Sequence, residues 1–266
     1  MAQVTVQPLT KEVAEQLGHV AWIEETDPVK AFKLMREALQ TPPYNCAIWA
    51  AAAATEAPEW RGKVADWREN ESIRFLSAGN GAAHFEQPAT SLPAAKGELR
   101  RQFNTAAAKP VEGLEAHMEK RIEQLFAAFP DYKMRFQLRA GEGDTDRNEL
   151  HEHVDGGEKS RLRFLECLSG SGTFIFRNED MVMRPSRGDI SFLAERLPEE
   201  GSFTAYEAPP NSIVLISNDE LGWQAILHSE PVVKTPEPQK PDEQKQGETK
   251  GATSKRRTVT TYDCFK

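Results

Sequence analysis

Tyr132-Lys133-Met134-Arg135-Phe136-Gln137-Leu138-Arg139 alternates apolar with charged or polar side chains. A period of two is that of a strand with one face buried and one face wetted. Pro130 stands just before this stretch and closes a helical pattern, because proline lacks the N–H a helix interior needs and its ring collides with the preceding turn. The chain changes structural class at that point. Downstream, strand candidates recur at residues 150–154, 161–168, 173–176, 189–192, 203–206, 212–216 and 223–228. Glycine turns at Gly156-Gly157, Gly170-Ser171-Gly172, Gly188, Gly201 and Gly222 punctuate them. Short strands at this spacing predict a sandwich, jelly roll or barrel.

Upstream of Pro130 the reading is of helices and loops. Asp27-Pro28 is an N-cap followed by a first-turn proline, and Val29, Phe32, Met35 and Leu39 then recur at helical spacing. Asn45 to Ala54 is alanine-rich and ends before Pro58. Leu114, Met118, Ile122, Leu125, Phe126 and Phe129 form one apolar stripe on a helix over about residues 111–129. At the other end, Lys234 to Lys250 has no hydrophobic residue apart from proline. Such a segment cannot bury enough surface to offset its ordering entropy. The expectation is therefore an α+β chain in three parts. A mainly helical N-terminal region (1–130) packs on a C-terminal β-domain (131–231), and a disordered tail (232–266) follows. The tail's basic Lys255-Arg256-Arg257 and aromatic Tyr262-Asp263-Cys264-Phe265 offer a contact for a protein partner, or fold back on the body.

Composition narrows the function classes. The chain has 266 residues, 28% charged and 39% hydrophobic, enough core formers to exclude wholesale disorder. Its net charge is -8, which argues against nucleic acid, since phosphate neutralisation needs clustered Lys and Arg. The longest apolar run, Ala47 to Ala54, is far short of the ~20 residues of a membrane span. Cys46, Cys167 and Cys264 are too widely spaced for a disulfide framework or a zinc knuckle. A cytoplasmic protein without nucleic-acid or membrane contacts, acting on a small molecule or peptide, is expected.

The chemistry-bearing stretch is Leu150-His151-Glu152-His153-Val154-Asp155. On a strand, residues 151, 153 and 155 project to one face. His228 ends the last strand candidate, 75 residues after His153. His153, Asp155 and His228 would compose a facial triad of the kind that binds non-haem Fe(II) and leaves positions open. His151 is an alternative ligand. Two other schemes fail on spacing. Gly156 occupies the place of the last His in His-x-His-x-Asp-His, and only 113 residues follow His153, too few for an amidohydrolase barrel.

Three resemblances bear on these residues. The cupin pattern is similar to His151, His153, Glu158 and His228, with Pro185 to Asp189 as a second turn. The Fe(II)/2-oxoglutarate-dependent dioxygenases resemble the chain through His153, Asp155 and His228. Both imply a double-stranded β-helix (jelly roll). The ordered stretches Asn45-Cys-Ala-Ile-Trp49, His153-Val-Asp155, Arg161 to Leu165, Gly170-Ser-Gly-Thr173, Gly188-Asp189 and His228-Ser-Glu-Pro231 resemble an uncharacterised bacterial family, domain of unknown function 1826. This chain departs from it by an insertion at Gly156–Ser160 and by lacking an Arg after the late His.

The dioxygenase resemblance implies Fe(II) and 2-oxoglutarate as cofactors. Arg161 or Arg163, on the strand after His153-Val-Asp155, would anchor the co-substrate carboxylate. The function expected is a non-haem Fe(II) oxidoreductase. The alternatives are a cupin-type metalloenzyme without 2-oxoglutarate, and a non-catalytic β-helix module that binds a ligand or a partner.

Overall fold

A computed structural model describes residues 3–50, 83–84, 88–105, 112–141, 152–153, 162–170, 172–180, 201–216, 228–229 and 257–265. The chain begins with β1 (Gln3–Pro8), α1 (Lys11–Leu17), β2 (Val20–Ile23), α2 (Pro28–Leu39) and β3 (Cys46–Trp49). There follow β4 (Ala83–His84), α3 (Leu92–Thr105), α4 (Leu114–Ala128), β5 (Lys133–Gly141) and β6 (Glu152–His153). Then come β7 (Leu162–Ser169), β8 (Phe174–Ile175), a 3-10 turn (Asn178–Asp180), β9 (Ser202–Glu207), β10 (Ile213–Ile216), β11 (His228–Ser229) and β12 (Arg257–Phe265). No helix among the described residues is long and apolar enough to cross a membrane.

The helices form for the reasons their sequences give. Asp27 Oδ1 accepts from the Lys30 backbone N–H at 3.1 Å, and Pro28 sits in the first turn of α2. That turn's N–H groups would otherwise have no acceptor. Phe32, Met35 and Leu39 are buried along one face. Replacing Asp27 with Ala should lower stability by about 1 kcal/mol, read as a shift in the urea-unfolding midpoint without a change in slope. The α4 stripe is also as the spacing predicts, with Leu114, Met118, Ile122, Leu125 and Phe126 all buried.

Two mixed sheets hold the strands. The large sheet runs β2-β3-β10-β7-β12-β5-β4 and the small one β1-β9-β8-β11-β6. Pairing is antiparallel except for β2 with β3 and β1 with β9. One core lies between the large sheet and α2, α3 and α4, built from Phe32, Trp49, Leu99, Met118, Phe136, Phe164, Leu215 and Tyr262 among others. A second core lies between the two sheets, where Cys46, Ile48, Val214 and Ile216 meet Ile175 and Tyr206. The layers are therefore helices, large sheet and small sheet.

Three expectations are corrected. The α+β class is right, but the double-stranded β-helix is not. Among the described residues each sheet is open, with distinct edge strands, and neither closes into a barrel or curls strongly. The physical reason is that partners come from outside the stretch with the period-two pattern. Strands β1, β2, β3 and β4 precede Pro130, and β12 comes from the chain's last ten residues. Asn45 to Ala54 reads as alanine-rich helix, yet Cys46–Trp49 is a strand whose four side chains are all buried. It sits between β2 and β10, where pairing on both sides outweighs alanine's helical preference.

The expected disordered tail is corrected over residues 257–265, while residues 232–256 lie outside the described ones. Arg257–Phe265 is a central strand of the large sheet, paired with β5 over its whole length and with β7 over most of it. Residues 259–265 are buried. Averaged over the tail, the polar linker composition hides a β-branched and aromatic nonamer, Arg-Thr-Val-Thr-Thr-Tyr-Asp-Cys-Phe, which is strand-forming in its own right.

Candidate functional site

Strand register assembles the candidate site between the sheets. Across the small sheet, Tyr206 pairs with Ile175, Ile175 with residue 228, and residue 228 with residue 153. Tyr206 and Ile175 belong to the core between the sheets. Directly paired residues share a face of a sheet, so register positions 228 and 153 lie on the inner face, at the β11–β6 end. The two histidines of the expected triad, His153 and His228, thus occupy facing backbone positions on adjacent strands. His151, Asp155, Glu158 and Arg161 lie outside the described residues.

Across the large sheet a second row runs Cys46–Ile216–Arg163–Asp263–Arg135. It begins apolar, in the inter-sheet core, and ends charged. Arg163 Nε donates to Asp263 Oδ1 at 2.7 Å and its Nη2 donates to Oδ2 at 3.1 Å. Arg135 Nη2 donates to the same Oδ2 at 2.9 Å and its guanidinium lies 5.1 Å from the Phe265 ring centre. The Asp263 side chain is 6% exposed and that of Arg163 is 14% exposed. Charge-assisted bonds so shielded from water are worth more than surface pairs. The guanidinium expected to anchor a co-substrate carboxylate is thus held by a carboxylate of the chain itself.

The expected metal cluster is not found among the described residues: no group of three or more His, Cys, Asp or Glu side chains there could hold a metal ion. Positions 153 and 228 supply a pair of imidazole-bearing residues, and the third donor of the proposed triad is Asp155. The metal-binding and cupin-like assignments are corrected on this ground and on the open sheets.

A different polar cluster lies under the helices. Glu166 on β7 is fully buried and accepts from Arg121 Nη2 at 2.9 Å, Arg121 Nε at 3.3 Å and His117 Nε2 at 3.0 Å. Arg121 also donates to Gln124 Oε1 at 2.7 Å, and its guanidinium lies 5.4 Å from the Trp49 ring centre. Burial by itself would push the Glu166 carboxyl up. The Arg121 charge and the His117 hydrogen bond outweigh it and hold the group well below the usual carboxylate range. Tyr262 is buried beside it, and its phenol is pushed well above its ordinary value by burial and by the Glu166 charge. With its charges compensated and water excluded, the cluster ties α4 to the sheet. It is a structural joint rather than a reaction centre.

Sequence reasoning missed Glu166, Arg121 and Asp263, though two of them left a signal. Leu162, Phe164, Glu166 and Leu168 form the apolar face of β7 with one acid on it. Arg121 falls on the same helical stripe as Leu114, Met118 and Leu125. A charge on each of two apolar faces requires a buried partner, and the two answer each other. For Asp263 the partner strands could not be read from its own sequence.

No protein-family model matches the chain, and no curated protein matches it. No specific family is therefore assigned, domain of unknown function 1826 included. Among solved structures the chain is similar to a dioxygenase for auxin oxidation from Arabidopsis thaliana in complex with 2-oxoglutarate. Identity is 12%, covering 91% of this chain and 90% of that one, with a TM-score of 0.42. So distant a likeness leaves the functional reading to the residues themselves.

Proposed function

We propose that the chain is a ligand-binding module that holds a small dicarboxylate between its two sheets without turning it over. The observation carrying this reading is the register row Tyr206–Ile175–His228–His153, which brings two histidines to paired positions on an inner face. The inner faces grade in the same sense. Tyr206 and Ile175 of β9 and β8 pack against β3 and β10. The next strands along are β11 and β6 in one sheet, and β7 and β12 in the other. On this ordering, positions 153 and 228 would belong to the wall opposite Arg163. Histidine positions on one sheet and an arginine on the other suit a carboxylate at either end of a short acid. A ligand carboxylate here would share Arg163 with Asp263.

Calorimetric titration of the full chain tests this reading. Heat on adding 2-oxoglutarate in the presence of a chelator, weakened at least about tenfold (1.4 kcal/mol) by His228→Ala, supports the binding module. Binding that requires prior Mn(II), or no heat from 2-oxoglutarate at all, overturns it.

A further inference from the structure

Among the described residues the small sheet ends in a strand with no partner on its outer side. Among the described residues β1 pairs only with β9, and Thr5, Val6, Gln7 and Pro8 are all exposed, Val6 by 51%. Open edges are usually blunted by charge, by a bulge or by a covering element. Here Gln3–Pro8 carries no charged residue at all, in a chain that is 28% charged.

The direction of its backbone groups is fixed by the parallel partner. The Leu9 N–H, which follows on from β1, donates to the Glu207 carbonyl of β9 at 2.8 Å. Successive peptide groups of a strand point to opposite sides, so residues 3, 5 and 7 turn toward β9 and residues 4, 6 and 8 turn outward. Pro8, with no N–H to offer, falls at an outward position, where a sheet tolerates it. The outward donors of the strand are those of Val4 and Val6.

Gln3-Val4-Thr5-Val6-Gln7 reads the same in both directions. We propose that β1 pairs with β1 of a second copy of this chain, antiparallel, about a two-fold axis through Thr5, joining two small sheets into one. In that register residue i faces residue 10 − i of the other copy. Gln3 meets Gln7, Thr5 meets Thr5, and Val4 meets Val6. The outward N–H and C=O groups of Val4 and Val6 then exchange four hydrogen bonds, and Thr5–Thr5 is a non-hydrogen-bonded pair. Both β-branched pairs and Thr–Thr pairs are favourable across strands. A two-fold contact must be self-complementary, and this sequence is so residue for residue. Two chains of net charge -8 repel overall, and the uncharged Gln3–Pro8 adds no local repulsion to the contact. The contact is small, at the lower end of interface sizes near about 1,200 Å², so the dimer is a weak one.

The register makes a sharp geometric demand. Non-hydrogen-bonded antiparallel partners lie ~4.5 Å apart at Cα, within disulfide reach. The native cysteines at 46, 167 and 264 are all buried. Full-length Thr5→Cys should therefore form a disulfide-linked dimer under mild oxidation, while Gln7→Cys, which faces residue 3, should not. In sedimentation velocity the native chain should show a concentration-dependent dimer. Val6→Pro, which removes an outward N–H that β9 does not use, should weaken it at least tenfold with an unchanged melting temperature. A native chain monomeric at several hundred micromolar overturns the proposal. So does a dimer indifferent to Val6→Pro, or cross-linking equal at positions 5 and 7.

Discussion

Deletion of Arg257–Lys266 is expected to leave no folded protein: soluble yield collapses, and far-ultraviolet circular dichroism of what remains shows no cooperative melt. The strand lies between β5 and β7, so its removal strips hydrogen-bond partners from both neighbours along most of their length. It also takes the fully buried Tyr262 and Cys264, and Val259 and Phe265, out of the interior. Burying one large apolar side chain is worth roughly 1.5–3 kcal/mol, and a domain's net stability is only about 5–15 kcal/mol. Losing several such groups exhausts that margin before the unpaired backbone is considered. A dispensable tail would leave the melting temperature unchanged. Ending the chain at residue 250 should be as damaging as ending it at residue 256, because the damage comes from the strand rather than from the polar segment before it.

Substitution of Glu166 by Ala should cost about 3–5 kcal/mol, since it leaves the Arg121 charge buried without its carboxylate. Arg121 is 1% exposed, so water cannot take over. Glu166→Leu combined with Arg121→Met should recover much of the loss, because replacing a buried ion pair by apolar groups of similar volume is often neutral. The pair also fixes the acid limb of stability. The Glu166 pKa is lowered from an ordinary 4.5 by Arg121 and His117, against the opposing effect of burial. A carboxyl depressed in the folded state gives its full stabilisation above the unfolded-state value and loses it as the pH falls toward the folded-state value. Unfolding free energy should therefore decline below about pH 4.5, and the double variant should show a shallower decline. Equal acid sensitivity in the two proteins would count against this origin.

How far the site was legible differs from residue to residue. His153 stood out because it lies two residues from His151 and two from Asp155, and its pairing with position 228 required only that two strands be neighbours. Arg163 was picked out by its place after His153-Val-Asp155, but its partner was invisible. Asp263 lies 100 residues away, in a segment whose neighbourhood is polar. The Glu166–Arg121 joint was half legible: each charge interrupts an apolar face, and only the packing of α4 on β7 shows that they meet.

Local periodicity determined where α2, α4, β5, β7 and β10 lie, because a helix or strand with one buried face writes its period into its own residues. The short apolar runs predicted no membrane-spanning helix, and no helix among the described residues is long and apolar enough for one. Partner choice was decided in three dimensions. That Cys46–Trp49 becomes a strand, that residues 257–265 fill the centre of a sheet, and that the sheets stay open all depend on which edges meet. Backbone hydrogen bonding is nearly the same for every sequence, so pairing leaves little trace in the residues that make it.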